Sequence, residues 1–187
     1  LIKKKKKTKS IIKFIKIETI FDIIGESNIT KTYLEKNKGN YPVYSGQTEN
    51  NGLFGMLNTY KYDFPTLTWA TYGVHAGTLF KRTGKYNIGR NNCGLKLKED
   101  YSNSILLDYI KFTGESIFKK NAKGDIGGHR SLPQVLVKEI EVPIPFDENG
   151  NIDIEKQKEI IEKFEYIESL KSKISAYKKQ IEELSVE

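Results

Sequence analysis

The chain changes its pattern of apolar and polar positions twice, and these changes divide it into three parts. Residues 1–10 are dominated by lysine, which predicts a basic N-terminal extension. Residues 11–150 contain short apolar segments separated by glycine and asparagine, a pattern typical of a strand-rich globular domain. Residues 151–187 form one amphipathic run without glycine or proline, which predicts a single long helix.

The predicted long helix carries an apolar seam along one face. From Ile167 onward the seam residues are separated alternately by three and four positions, which is the spacing of a coiled coil. Such a helix would extend roughly 50 Å at ~1.5 Å per residue, further than the domain needs for its own core. We therefore predict pairing with a helix from another segment or another chain, and packing across its own domain is the alternative. The seam consists of Ile160, Phe164, Ile167, Leu170, Ile174, Tyr177, Ile181 and Leu184.

Within residues 11–150 the apolar segments predict mostly strands. The predicted strands cover 11–17, 41–44, 52–54, 66–70, 77–82, 86–88, 93–97, 135–137 and 140–142. The predicted helical segments cover 18–24, 31–35 and 103–112, with a further short helix near Phe118. The sequence therefore predicts an α+β fold, in which a globular, mostly-β domain is followed by one long C-terminal helix of the coiled-coil type.

The formal net charge of +7 is concentrated near the N-terminus. Residues 1–16 contain eight lysines and no acid, whereas residues 152–187 contain seven lysines and nine acids. The middle of the chain is nearly neutral overall, but it has no acid between Asp63 and Glu99. That stretch predicts a local cationic surface of the kind that a phosphate backbone attracts. Its cationic residues are Lys81, Arg82, Lys85, Arg90, Lys96 and Lys98.

No residue pattern in the chain predicts catalysis, a metal site or a bound cofactor. His75 and His129 are the only histidines, and neither is spaced for a zinc site with Cys93. The glycine-containing segments match neither the P-loop nor the dinucleotide-binding pattern. A single cysteine indicates a reducing compartment, and no apolar run is long enough to span a membrane, so we expect no membrane partner.

Three polar loops carry groups that can contact bases or phosphates. The first, 45–52, offers Gln and Asn side chains able to form paired hydrogen bonds with adenine. The second, 71–77, places one Tyr and one His between glycines, and the third, 119–131, combines lysines with Arg130. Arginine is the side chain best shaped for a bidentate contact to guanine or phosphate. Each loop also has an alternative explanation without a binding role. The first can be a hairpin connection, the second a tight turn and the third a flexible solvated loop.

The order of these segments resembles a target recognition domain from the specificity subunit of type I restriction-modification systems, or from related bifunctional restriction enzymes. The resemblance covers nearly the whole chain from residue 14. The matching stretches are 17–25, 39–46, 62–63, 68–77, 127–133, 142–145 and Gln157 at the start of the long helix. Members of the family usually carry Glu-Gln where this chain has Lys156-Gln157, which is a small departure.

The resemblance implies a non-catalytic domain that reads one half of a bipartite DNA site, while the helix sets the distance to a second recognition domain. It also implies docking to methyltransferase subunits, which hold S-adenosylmethionine, and through them to a restriction subunit in the bacterial cytoplasm. The residues expected to contact DNA are Ser45, Gln47, Asn50, Tyr72, His75, Lys81, Arg82, Lys85, Arg90, Lys123, His129 and Arg130. Among them, Gln47, Asn50 and Arg130 are expected to read bases, and the lysines to hold phosphates.

The chain has one recognition domain and one helix, whereas the full-length pattern of the family has two of each. We therefore expect either a homodimer or one half of a longer subunit, and a two-fold dimer would read a symmetric split site. Two other functions stay as alternatives. The first is a protein-interaction module with a coiled-coil arm, which does not explain the polar, glycine-rich loops. The second is the recognition part of a bifunctional restriction and methyltransferase enzyme, with its catalytic part upstream of Leu1.

Overall fold

The computed structural model describes residues 10–125 and 127–184, with the side chain of Leu184 excepted. The predicted basic extension therefore lies outside the described residues, apart from Ser10. The α-helices are α1 (Ile17–Ile20), α2 (Lys31–Lys36), α3 (Leu107–Asn121), α4 (Gln134–Lys138) and α5 (Ile154–Leu184). The strands are β1 (Ile11–Lys16), β2 (Phe21–Ile24), β3 (Tyr41–Tyr44), β4 (Leu53–Leu57), β5 (Tyr62–Asp63), β6 (Thr66–Ala70), β7 (Leu79–Arg82), β8 (Lys85–Ile88), β9 (Asn92–Leu97) and β10 (Glu141–Phe146).

Two four-stranded sheets and one two-stranded sheet form the domain within the described ranges. The first sheet has the order β2–β9–β6–β7 and is antiparallel throughout. The second has the order β4–β3–β8–β5, in which β3 and β8 run parallel. In the two-stranded sheet, β1 pairs antiparallel with β10, from Ile11 opposite Phe146 to Lys16 opposite Glu141. This pairing ties the start of the domain to the strand that precedes α5.

The main core lies between the first sheet and α3. The alternation in β6 directs Leu67 and Trp69 toward this core, where Trp69 meets Phe118 edge-on with 6.4 Å between ring centroids. Fully burying side chains of this kind contributes about 1.5–3 kcal/mol each. The alternate residues, Thr66 and Thr68, are buried as well, so β6 is covered on both faces. On the face opposite α3, Arg82 donates to Thr68 Oγ1 and lies over the ring of Tyr44 on β3 of the second sheet.

The predicted α+β architecture with a long C-terminal helix is confirmed. The strands predicted over 41–44 and 66–70 match β3 and β6 at both ends. The helix predicted over 103–112 is α3, which begins later and continues as one helix through Phe118. The single helical turn predicted over 31–35 corresponds to α2. Local alternation and helical spacing were therefore sufficient to locate most of the elements.

Two segments were assigned to the wrong type of structure. Segment 135–137, predicted as a strand, lies in α4, where Val137 is buried and Val135 is 67% exposed. Segment 18–24, predicted as helical, is helical only as far as Ile20 and then forms β2 against β9. Short apolar segments fit either structure locally, and packing against the rest of the domain decides between them.

The long helix α5 begins on the domain and then leaves it. Asp153 caps its first turn, because Oδ1 accepts a hydrogen bond from the Lys156 N–H at 2.8 Å. Ile160 packs against the main core, and Phe164 stacks on Phe112 of α3 with 5.3 Å between ring centroids. Beyond this point the described seam residues are exposed: Ile167 by 45%, Leu170 by 39%, Ile174 by 55%, Tyr177 by 62% and Ile181 by 65%. The seam therefore has a part that packs on its own domain and a part that faces solvent.

Candidate nucleic-acid interface

Backbone hydrogen bonds join the predicted loops into one continuous surface, which we call the loop edge. It consists of loop A (45–52), loop B (71–77), loop C (123–125 and 127–131) and the turn at 89–91 between β8 and β9. Loop A connects β3 to β4, and loop B connects β6 to β7. Because β3 runs parallel to β8, and β6 pairs antiparallel with β9, these connections lie at the same end of the two sheets.

The turn between β8 and β9 links loop A to loop B. The Gly46 N–H donates to Arg90 O at 3.2 Å, and the Thr71 N–H donates to Asn91 O at 2.9 Å. Asn91 has a left-handed φ of 56°, and its own N–H donates to the carboxylate of Glu26. Sequence reasoning missed Asn91 and Glu26 as organisers of this surface. The consecutive asparagines after Arg90 were the available signal, because asparagine tolerates left-handed turns.

Loop B is joined to loop C in the same way. The Gly73 N–H donates to Arg130 O at 2.9 Å, and the Leu132 N–H donates to Thr71 O at 2.8 Å. The indole Nε1–H of Trp69 donates to Leu132 O at 2.9 Å, and this bond is buried. The end of loop C is therefore fixed to the core of the first sheet through the same residue that packs against α3.

Loop A displays exposed amide side chains on a left-handed turn. Gln47 and Asn50 are exposed, and Nε2 of Gln47 donates to Leu53 O at 2.5 Å. Asn50 and Asn51 have φ values of 47° and 53°, and Gly52 follows at 76°. An amide can donate and accept at once, which suits it to the edge of adenine. Both side chains therefore stay candidates for base contact.

Loops B and C present a pair of parallel rings. Tyr72, which is 47% exposed, stacks on His129 with 5.6 Å between ring centroids and 15° between the planes. Ser131 forms isolated bridges with both Tyr72 and Lys123, so the two loops lie side by side. His75 is exposed on loop B. Exposed rings at this position can contact the apolar groups of a nucleic acid, such as a thymine methyl.

The structure divides the expected DNA contacts into two groups. The group at the loop edge contains Ser45, Gln47, Asn50, Tyr72, His75, Arg90, Lys123, His129 and Arg130. The other group lies along and beyond β7, which runs away from loop B and places Arg82 opposite Thr66 at the start of β6. This second group contains Lys81, Arg82 and Lys85. The acid-free stretch of the sequence therefore does not form a single cationic surface.

The three cationic residues of this second group have partners within the domain. Nζ of Lys81 lies 2.5 Å from Oδ2 of Asp108 at the start of α3. Nζ of Lys85 lies over the Tyr60 ring, 4.7 Å from its centroid, and the hydrogen bond to this tyrosine raises the pKa of Lys85. Arg82 is only 1% exposed. The expected contact of Arg82 with DNA is therefore corrected to a buried position beneath loop A.

Arg130 contacts a helix end instead of projecting from loop C. Its Nη2 donates to Lys119 O at 2.6 Å and to Ala122 O at 2.8 Å. Carbonyl groups at the C-terminus of a helix lack partners in the next turn and attract positive charge. Arg130 therefore stabilises the end of α3 through Nη2, and its expected base contact stays a prediction.

The loop edge supplies amides, hydroxyls, aromatic rings and cations, which are groups suited to binding. Among residues 10–125 and 127–184, no three His, Cys, Asp or Glu side chains are placed to hold a metal ion. No helix in the described part of the chain combines the length and apolarity needed to cross a membrane. Cys93 is buried, and burial raises the pKa of its thiol.

Replacing Gly46 with alanine should destabilise the loop edge. A Cβ at this position would lie 2.2 Å from Asn91 O, which would force loop A or the turn to move. We expect urea unfolding to show a loss of about 1–3 kcal/mol, the usual cost of overfilling a packed site. Gly25→Ala is the control, because its Cβ would meet Gln134 Nε2 at an ordinary 3.4 Å. Equal effects of the two substitutions would contradict the role of the close contact.

The fold is similar to those of solved specificity subunits. The S subunit of a type I restriction-modification system from M. genitalium matches with a TM-score of 0.63 at 16% sequence identity, over 90% of this chain and 41% of that protein. The HsdS subunit from Thermoanaerobacter tengcongensis matches with a TM-score of 0.54 at 13% identity, over 88% of this chain and 38% of that protein. At these identities the likeness concerns the fold.

Sequence comparison finds relatives in Mycoplasma pneumoniae. A protein assigned there as type I specificity subunit S.MpnORF507P is 36% identical over 135 residues, covering 72% of this chain and 36% of the relative. The specificity subunit of the type I restriction enzyme MpnII is 31% identical over 173 residues, covering 89% of this chain and 49% of the relative. The chain thus spans less than half the length of each of these proteins. The type I restriction modification DNA specificity domain matches residues 10–184, and the chain belongs to this family.

Proposed function

We propose that this chain is the DNA-recognition unit of a type I restriction-modification complex and that it reads one half of a bipartite site. The loop edge carries this proposal, because backbone bonds join three polar loops from separate parts of the chain into one surface. Membership of the specificity-domain family supports the same function.

Each part of the loop edge has a role in this proposal. The exposed amides of Gln47 and Asn50 read base edges, because they can donate and accept hydrogen bonds together. Arg90 and Lys123, both exposed, hold phosphates and set the register of the domain on the duplex. The ring of Tyr72, which stacks on His129, supplies an apolar contact to the DNA.

The exposed part of the α5 seam is the proposed attachment for a second recognition domain. That domain belongs either to another copy of this chain or to the other half of a longer subunit. Methyltransferase subunits that hold S-adenosylmethionine, and a restriction subunit bound through them, are the other proposed partners. In this proposal the chain contributes no catalytic residue and acts in the bacterial cytoplasm.

Selection from a randomised duplex pool tests the proposal directly. The chain, together with the methyltransferase subunit of its own system, is incubated with the pool at about 0.15 M salt, where unspecific attraction to phosphates is reduced. We expect enrichment of a motif split by a spacer of fixed length. A palindromic motif would indicate a homodimer, and two different halves would indicate a longer subunit.

A pool that stays random would contradict DNA recognition and favour the protein-interaction module. Asn50→Ala provides a sharper test of the loop edge. This variant should lose discrimination at one base pair by about 1–3 kcal/mol, the value of one good base contact, with other positions unchanged. A uniform loss at every position of the motif would show that Asn50 does not read a base.

A further inference from the structure

We infer that Arg82 is a positioning residue for DNA specificity, because it fixes the left-handed turn of loop A from below and thereby orients the side chain of Asn50. The inference rests on the proposed function and deepens it. The sequence predicts that Arg82 lies at the surface and contacts DNA, whereas the structure places its guanidinium beneath loop A. A buried cation at this place acts on DNA only through the residues above it.

Two hydrogen bonds connect Arg82 to the sheet and to the loop. Nε donates to Thr68 Oγ1 at 3.1 Å, which anchors the guanidinium to the central strand β6. Nη1 donates to Asn51 O at 2.7 Å, within the turn that carries Asn50. The guanidinium therefore connects a rigid part of the domain to the backbone of loop A.

Aromatic rings fix the plane of the guanidinium. Its central carbon lies 3.7 Å from the centroid of the Tyr44 ring and 4.6 Å from that of the Phe80 ring. A planar guanidinium can lie against rings and still donate from its edge, which a lysine ammonium cannot do. Burial lowers the pKa of Arg82 to about 10, so the group keeps its charge at neutral pH. A charged donor makes a stronger hydrogen bond to the carbonyl of Asn51 than a neutral donor does.

The turn that Arg82 holds is left-handed over three consecutive residues. Asn50, Asn51 and Gly52 all have positive φ, a conformation that asparagine tolerates better than other residues with a side chain. A Cβ on Gly52 would lie 2.9 Å from Nη2 of Arg82, so the turn rests directly on the guanidinium. Backbone in such sparsely populated conformations persists where the surroundings enforce it, and such places are common at binding sites. The contact with Arg82 supplies that constraint here.

The guanidinium is not fully satisfied by the domain. Nη2 of Arg82 is buried and has no hydrogen-bond partner in the described structure. A buried donor without a partner reduces stability, so the arrangement is not the one that stability alone would favour. This cost in stability fits a residue whose role is to shape loop A.

Arg82→Met and Arg82→Lys test the inference in the complete chain with its methyltransferase subunit. The readout is the ratio of affinities for the selected site and for a site altered at the base pair that Asn50→Ala identifies. We expect both variants to lose at least about fivefold in this ratio, the lower bound for one base contact. Affinity for random DNA should be unchanged, because the exposed cations of the loop edge are retained.

A double-mutant cycle separates positioning from general destabilisation. In the Asn50→Ala background, Arg82→Met should have no further effect on the ratio, because the residue through which it acts is already absent. Additive effects, or an equal loss of discrimination at every base pair, would overturn the inference.

A second measurement is independent of DNA. Hydrogen exchange across residues 45–53 should accelerate in Arg82→Met, and Lys81→Met should leave it unchanged, because Lys81 pairs with Asp108 on the α3 side of β7. Unchanged exchange in Arg82→Met would overturn the inference even where DNA selection succeeds. Accelerated exchange together with a random pool would instead contradict the proposed function while retaining the role of Arg82 in shaping loop A.

Discussion

Replacing Ile174 and Ile181 with aspartate is expected to abolish self-association of this chain. Both side chains lie on the exposed part of the α5 seam, at 55% and 65% exposure, and no second helix of similar length occurs among the described residues. Burying an isoleucine contributes about 1.5–3 kcal/mol, and a two-fold dimer buries each residue twice, so the dissociation constant should rise at least about 100-fold. Sedimentation should show wild type at twice the 21.5 kDa of the monomer and the variant at the monomer mass.

Ser172→Asp is the matched control for this result. Ser172 lies on the opposite face of the same stretch of α5, and its replacement adds one negative charge to an exposed position, half of what the double variant adds. It should sediment as wild type does. For all three proteins, circular dichroism should show that the globular domain is folded. Equal sedimentation of wild type and the double variant would show that the seam does not mediate self-association of this chain.

The fold was predictable where the pattern of the sequence matched the layers of the structure. The segment 66–70 alternates between hydroxyl and large apolar residues, and in β6 these two sets face the two sides of the first sheet. The apolar seam of α5 was predictable in the same way. Its apolar residues keep a helical spacing even where the helix extends beyond the domain. The segment 135–137 was not predictable, since three apolar residues after Pro133 fit a strand and a helical turn equally well.

The candidate site was predictable in its loops but not in the positions of its cations. Glycine, asparagine and glutamine mark a loop directly, and loops A, B and C were all located from such residues. For a charged side chain, however, the sequence does not indicate which group the side chain will contact. Arg82 lies against the ring of Tyr44 on β3 and that of Phe80 on its own strand, and Arg130 bonds to the end of α3. Only the three-dimensional structure distinguishes a cation that supports a loop from one that faces solvent.

Gln157→Leu is expected to destabilise the junction between α5 and the domain by about 2–6 kcal/mol. Gln157 is 0% exposed; its Oε1 accepts from the Leu106 N–H at 2.9 Å and its Nε2 donates to Ser104 O at 2.8 Å. Leucine has a similar volume but leaves both backbone groups without a partner, and each unsatisfied buried group costs about 1–3 kcal/mol. Urea unfolding at one protein concentration measures the loss. Gln180→Leu, on the exposed part of α5, should stay within about 0.5 kcal/mol of wild type.

Gln157→Glu separates the two hydrogen bonds through pH. At neutral pH the carboxylate still accepts from the Leu106 N–H, but its second oxygen faces Ser104 O and repels it. Burial and this repulsion raise the pKa of the new carboxyl above its unfolded value, so the destabilisation is largest above that folded pKa and fades as pH falls through it. Once protonated, the group donates and accepts as the amide does. Gln157→Glu should therefore approach wild-type stability in acid, whereas Gln157→Leu should not. A constant difference between Gln157→Glu and wild type at every pH would mean that the bond to Ser104 does not hold α5 to the domain.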